Sequence, residues 1–297
     1  MVDQYTVESS VAQMDKYQDI IARVKQTLIK AGSTFSEEKK EAYLQAIKQE
    51  TSLQAKWVLE TLLENAALAE NNKGPLCDDT GIPHLFIEVG RSRCITGEML
   101  NAIYKGIEEG LRTLPGRPMA ICGNDIQRID QSGGLNNDSA AVKPAPLLMK
   151  LVDEDVIRLY ILMLGGGPAI RGKTYRVYHK HDANVVKDEI ISWATEAVGL
   201  LGCTPCTLTI GIGRSHYEAA SLMIEAQVYG KHGIQSEMEA EITRRVNESK
   251  VGALGLGGNS SVLATFMRVG HQRASGVRIV CLRPCCCFEP RVACVDF

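Results

Sequence analysis

The sequence predicts an α+β fold: N-terminal helices followed by a mixed, mainly antiparallel sheet packed with helices. Three observations predict it. Up to about residue 115 apolar residues recur mainly at helical spacing. Beyond that point short β-rich runs alternate with helical segments and glycine-rich loops. No internal repeat, low-complexity tract or convincing linker interrupts the chain, so residues 1–297 are expected to form a single domain, helical over about 1–115 and sheet-containing over about 116–297.

In chain order, Val11, Met14, Ile20, Ile21, Val24, Leu28 and Ile29 follow helical periodicity, and Ala31-Gly32-Ser33 closes that segment. Ser36 opens a second helix without the acid three residues on that a capping box needs. One long amphipathic stretch is expected to carry Leu44, Ile47, Leu53, Trp57, Val58 and Leu62 up to Asn71-Asn72. A loop bearing Cys77 leads to the strand-like run Leu85–Val89, and Gly97–Leu114 is helical again. Residues 122–146 read as a long polar loop. Strands are expected at Leu147–Val152, Ile157–Met163, Thr207–Ile212 and Val277–Leu282, and helices at Lys187–Leu201, Tyr217–Val228 and Ser236–Val246.

Composition excludes several classes. Hydrophobic residues make up 45% and charged residues 23%, an ordinary globular balance. A net charge of −2 argues against a dominant nucleic-acid surface, and aromatics at 5% leave little for base stacking. No segment is apolar enough to span a bilayer. The start Met1-Val2-Asp3-Gln4-Tyr5-Thr6 lacks the basic and apolar regions of a secretory leader, so a reducing, cytoplasmic setting is expected. There, cysteines serve more as ligands or core residues than as disulfides.

The chain has ten cysteines, three of them consecutive at Cys285, Cys286 and Cys287. Cys77 lies in Gly74-Pro75-Leu76-Cys77-Asp78-Asp79-Thr80-Gly81, where glycines let backbone amides turn toward a ligand. A turn capped by its Asp side chains is the plainer reading. Cys203 and Cys206 form a Cys-x-x-Cys that precedes a strand, unlike redox pairs that open a helix. The triplet is flanked by Arg283 and Arg291, cations that favour thiolate. Three dispersed thiolates can hold an iron–sulfur cluster with one iron left open to a substrate oxygen. A zinc-binding structural or interaction protein and a thiol-redox protein are the alternatives. Gly165-Gly166-Gly167 with Arg171 and Lys173 can offer N–H groups and a cation to an anion, and Arg117 can fork onto a carboxylate.

Together these motifs resemble the iron–sulfur class I fumarases and the related L-tartrate dehydratases, in particular the α subunit of the two-subunit form. The resemblance rests on Cys77-Asp78-Asp79-Thr80-Gly81, Leu114-Pro115-Gly116-Arg117, the triple glycine, Cys203-Thr204-Pro205, Leu256-Gly257-Gly258-Asn259-Ser260-Ser261 and the terminal Cys/Arg segment. It implies a 4Fe–4S cluster held by Cys77, Cys203 and one residue of the triplet. Cys287 is favoured because an aromatic residue follows it and Arg291 comes four positions on, with Cys285 and Cys286 still open. Asp79 matches a catalytic position, and Arg117 matches one that grips a substrate carboxylate. Asp78, Gly166, Gly167 and Lys173 complete the expected substrate site. The implied activity is reversible hydration of fumarate to malate, or dehydration of tartrate or a related 2-hydroxy dicarboxylate. A separate β subunit is expected to supply the remaining residues in an α–β hetero-oligomer.

Overall fold

The computed structural model describes residues 4–117 and 119–297, with side chains described from Tyr17 onward. Val11 and Met14 therefore fall where only the helix, and not its packing, is described. The elements run α1 (Gln4–Ser33), α2 (Glu37–Gln49), α3 (Leu53–Asn72), β1 (Ile82–Gly90), α4 (Gly97–Thr113), α5 (Asp125–Asp130), β2 (Leu148–Val152) and β3 (Ile157–Leu164). They continue with α6 (Gly166–Arg171), β4 (Lys173–Tyr178), α7 (Ala183–Leu201), β5 (Cys206–Gly213), α8 (His216–Tyr229), α9 (Glu237–Asn247), β6 (Val262–Val269), β7 (Val277–Cys285) and β8 (Val292–Asp296). The chain divides into two interleaved compact units, one of Met1–Ser33, Asn71–Met163 and Val292–Phe297, the other of Thr34–Glu70 and Leu164–Arg291.

The first unit holds a four-stranded sheet of order β2-β1-β3-β8. β1 and β2 are parallel, whereas β3 and β8 pair antiparallel with Ile161 opposite Ala293. β1 lies between β2 and β3, so the four-residue turn after β2 must cross the end of β1. Gly90 makes this crossing feasible: a Cβ there would lie 2.3 Å from the carbonyl oxygen of Glu154, and its N–H donates to Val156 at 2.7 Å. Helices α1 and α4 close onto each other through Gly106, where a Cβ would meet Val24 Cβ at 2.6 Å. Val24, Leu28, Ile103 and Ile107 are fully buried in the core that results, together with Ile87, Leu159 and Ile161 of the sheet.

The second unit holds a four-stranded sheet of order β4-β7-β5-β6. β5 is central, antiparallel to β7 and parallel to β6, and every one of its residues is buried. Its Leu208 and Ile210 pack with Ile190 of α7 and with Ile242 and Val246 of α9. Alternate residues face the other way. There Gly211 lets α8 approach, since a Cβ would lie 2.0 Å from the carbonyl oxygen of Ala219.

Several sequence expectations change. The single long stretch through Leu53 and Trp57 is two helices, and those residues are 86% and 65% exposed. Glu50 breaks the run, because its carboxylate accepts from the N–H groups of Thr51 and Ser52, and Ser52 Oγ then accepts from Ala55 N–H. The loop expected at 122–146 contains α5, whose N-terminus is fixed by an Asn124/Gln127 capping box, and a 3₁₀ turn at Ser139–Val142. Strands β4, β6 and β8 were not expected, and there are two mixed sheets in place of one.

Candidate functional site

The predicted residues fall into two groups, one in each unit. Cys77, Asp78, Asp79 and Arg117 belong to the first unit, whereas Gly166, Gly167, Lys173, Cys203 and Cys287 belong to the second.

In the first group Cys77 lies in a bend just beyond α3. The bend is tied down by Leu76 N–H, which donates to the Gly32 carbonyl at 2.9 Å, and turns at Gly81, whose φ is +90°. Asp78 Oδ2 accepts from Arg117 Nη1 at 2.9 Å, so the two candidate substrate residues already form an ion pair. Thr80 is 4% exposed and its Oγ1 has no hydrogen-bond partner. It packs under Gly116, where a Cβ would lie 2.1 Å from that oxygen. The Thr80–Gly116 contact thus holds the Arg117 loop against the Cys77 loop.

In the second group the two cysteine loops meet directly. Cys287 N–H donates to the Cys203 carbonyl at 2.8 Å. Cys203 is exposed in the turn after α7, next to a cis Thr204–Pro205 bond. That turn is held by the glycine-rich loop: Thr204 Oγ1 donates to the Gly252 carbonyl, and Leu254 N–H donates to the Thr204 carbonyl at 2.9 Å. A Cβ at Gly252 would lie 1.7 Å from the Gly257 carbonyl oxygen, so this loop admits no side chain there. Its far end is fixed by Glu50, whose carboxylate accepts from Asn259 N–H at 2.7 Å. Burial pushes the Glu50 carboxyl up, but the backbone N–H groups of Ser52, Asn259, Thr51 and Ser260 outweigh it and hold the group below the usual carboxylate range.

Cys285 is the last residue of β7, and Cys286 and Cys287 follow it into a turn; all three are buried. Burial pushes the Cys285 thiol up to about 12. Cys286 and Cys287 share a side-chain hydrogen bond that holds the first down and the second up. Among the described residues, none of the cysteines forms a disulfide. Cys206, fully buried as the first residue of β5, is also pushed up by burial.

Around this turn lies a set of buried charges. Glu289 is fully buried; Arg283 grips its carboxylate, with Nη2 to Oε2 at 2.9 Å and Nη2 to Oε1 at 3.2 Å, and Arg291 Nη2 approaches Oε1 at 3.5 Å. Both backbone groups of Gly165 are bound here as well: its N–H donates to Glu289 Oε1, and its carbonyl accepts from Arg283 Nη2 at 2.9 Å. The triple glycine is thereby anchored to the cysteine turn, with Gly166 and Gly167 opening the short α6. Lys173 begins β4 with its ammonium over the Trp193 ring, 4.4 Å from the centroid.

The sequence reading missed Lys39 and Tyr43. Both are buried on the face of α2 that Phe35 introduces: Lys39 Nζ donates to the Glu289 carbonyl at 2.7 Å, and Tyr43 Oη to the Cys287 carbonyl at 2.8 Å. Burial pulls the Lys39 ammonium down to about 8, with the thiols of Cys286, Cys287 and Cys285 and the Glu289 carboxylate opposing it. A lysine in line with Phe35, Tyr43 and Ala46 on a helix face was the available signal.

Comparison with known proteins fixes the family. A family model described as fumarate hydratase (Fumerase) matches residues 21–295. The chain belongs to the class I fumarate hydratase family. It is 25% identical over 260 residues to the Methanocaldococcus jannaschii protein named "Putative L(+)-tartrate dehydratase subunit alpha", covering 83% of this chain and 87% of that one. It is 26% identical over 242 residues to the L(+)-tartrate dehydratase subunit alpha of Escherichia coli K12, covering 80% and 77% respectively. Membership in the fumarate hydratase family makes this chain a hydro-lyase, an enzyme that adds or removes water. Among the described residues, no helix is long and apolar enough to cross a membrane.

Proposed function

We propose that this chain is the α subunit of an iron–sulfur hydro-lyase that reversibly hydrates fumarate to malate in the cytoplasm, acting as one α domain with a separate β subunit. Cys77, Cys203 and Cys287 would hold a 4Fe–4S cluster. The observation that carries the proposal is the Cys287–Cys203 backbone bond, in a chain that belongs to the fumarate hydratase family. The donor chemistry fits: thiols unengaged in disulfides, two of them on loops joined by that bond, beside buried Lys39, Arg283 and Arg291 that can offset anionic sulfur. Dehydration of L-tartrate is the second reading, favoured by the names of the two relatives.

When bound, a cluster with one iron lacking a cysteine ligand supplies a Lewis acid for the hydroxyl and a carboxylate oxygen. The remaining work falls to side chains and amides. Arg117 binds a substrate carboxylate, taking it in exchange for Asp78, which holds the guanidinium in place beforehand. Asp79 moves or orients the proton at the carbon beside a carboxylate. Negative charge developing there is met by the amides of Gly166 and Gly167 and by the Lys173 ammonium.

The test is co-expression with a β-type subunit, anaerobic purification, iron and labile-sulfide analysis, and assay on malate, fumarate and both tartrate enantiomers. Iron and sulfide near four per chain with turnover of malate and fumarate is the expected result. Turnover confined to a tartrate selects the second reading, and stoichiometric zinc without sulfide overturns both.

A further inference from the structure

Helix α2 reaches both cysteine loops of the second unit, by two separate routes. Near its middle Tyr43, fully buried, donates from Oη to the Cys287 carbonyl at 2.8 Å. Cys287 N–H in turn donates to the Cys203 carbonyl at 2.8 Å. The next residue, Thr204, is held by the glycine-rich loop, through Leu254 N–H to its carbonyl at 2.9 Å and Gly255 N–H to its Oγ1 at 3.2 Å. Within that loop Gly257 N–H donates to the Val251 carbonyl at 2.8 Å and Gly252 N–H to Ser261 Oγ at 2.9 Å, which ties its two ends together. Its far side returns to α2. Asn259 N–H donates to Glu50 Oε2 at 2.7 Å, and Asn259 Nδ2 to Thr51 Oγ1 at 3.1 Å. Gly258 permits that approach, since a Cβ there would lie 2.8 Å from Glu50 Oε2. The hydrogen bonds form a closed circuit: Tyr43, Cys287, Cys203, Thr204, the glycine-rich loop, Glu50, and back along α2. The helix fixes the spacing of Tyr43 and Glu50 by its own regular rise. In such a circuit every bond is backed by the others, whereas breaking one leaves an open chain that can relax locally.

We propose that α2 is a splint that sets the approach of Cys203 to Cys287 before any cluster is bound, with Tyr43 and Glu50 as its two positioning residues. This rests on the assignment above of those cysteines as cluster ligands. The Leu256–Ser261 motif then has a task of its own: it is the strut that carries position from Glu50 to the Cys203 turn.

Two variants open the circuit at different points. Glu50→Gln has one acceptor oxygen where the carboxylate has two, so it cannot serve both Asn259 and the Thr51 and Ser52 amides. Tyr43→Phe removes only the hydroxyl that reaches Cys287. Hydrogen exchange is followed in the assembled protein stripped of iron, at the amides of Leu254 and Cys287. In each variant both amides should exchange about tenfold faster, roughly the net worth of one hydrogen bond. Amides in the middle of β5, which report opening of the whole unit, should keep the parental rate. The distant amide decides the matter, because Cys287 is several bonds removed from Glu50, and Leu254 from Tyr43. In the cluster-loaded protein both variants should release iron to a chelator on the order of tenfold faster. Should one variant not fold, the other decides alone. Parental exchange at the distant amide overturns the splint, and so does equal acceleration of all amides, β5 included, which marks an ordinary structural role. Faster exchange with parental iron release also overturns it, since the circuit then has no bearing on the ligands. A parent protein that never holds iron and sulfide overturns the cluster assignment and the splint with it, whereas a parent that holds its cluster confines any failure to the splint.

Discussion

The N–H of Cys287 is hydrogen-bonded to the carbonyl of Cys203 at 2.8 Å, across a separation in sequence that no local motif spans. One backbone bond therefore sets the approach of two candidate ligands. Serine replacements should separate ligands from bystanders. Cys77→Ser, Cys203→Ser and Cys287→Ser should each lose cluster absorbance and lower kcat by roughly 100-fold or more, by analogy with loss of a metal's supporting groups. Cys206→Ser should keep the cluster and lose about 1–3 kcal/mol of stability, because a hydroxyl replaces a fully buried thiol. Activity retained in Cys77→Ser would contradict the assignment.

Glu289 should be the most sensitive position in the second unit for stability. Glu289→Ala removes the buried carboxylate that Arg283 and Arg291 both reach and frees Gly165 N–H. Breaking a buried pair in this way costs about 3–5 kcal/mol. Urea denaturation of the purified variant measures it, and a loss below about 1 kcal/mol would show that water already compensates the site.

Thr80 and Gly116 give a paired test in the first unit. Gly116→Ala forces a methyl against Thr80 Oγ1 and should cost about 1–3 kcal/mol while raising KM more than it lowers kcat, since Arg117 moves with its loop. Thr80→Val removes a buried hydroxyl that has no partner and should be neutral or stabilising by about 1 kcal/mol. Thermal melts and steady-state kinetics on both variants decide the point.

The acid limb of the stability profile should carry a histidine signature. Burial, and secondarily Lys39, pull His232 from 6.5 down to about 3. Its folded value is depressed, so the folded state favours the neutral ring. The contribution is complete above the unfolded value and is lost as pH falls from there toward the folded one, at no more than about 1.4 kcal/mol per pH unit. The ring accepts from or donates to Thr207 Oγ1 at 3.1 Å and packs edge-on to Phe266. His232→Gln should flatten the decline in stability between pH 6.5 and pH 3 when denaturation is followed at each pH. An unchanged slope would locate the titration elsewhere.

Where periodicity and punctuation agreed, the sequence was readable. The helix at Gly97–Thr113, the strand at Cys206–Gly213 and the strand leading into the cysteine triplet lie within a few residues of expectation. Strand β4 escaped because Lys173, Thr174 and Arg176 break up any apolar run and only Val177 is buried; β8 escaped because its apolar run, Val292–Val295, is short and shows no clear alternation. The helix break at Glu50 depends on a carboxylate that bonds neighbouring and distant N–H groups at once. The cysteines were legible as chemistry, and their motifs gave the family before any coordinates. The charge network was not, because Arg283, Glu289 and Arg291 look like an ordinary solvated flank until burial is known. Lys39 was hidden for the same reason, since a lysine beside Glu37, Glu38 and Lys40 reads as surface.

The edge strand Val292–Asp296 pairs with β3, which lies more than a hundred positions earlier, and everything between them belongs to the other unit. During synthesis the flank of β3 must wait, unpaired, while all of that intervening polypeptide is made. Such a waiting edge invites wrong partners. Deletion of β8 should therefore yield aggregates instead of a smaller folded product, and substitutions that break its pairing with β3 should depress yield even though they lie outside the chemistry.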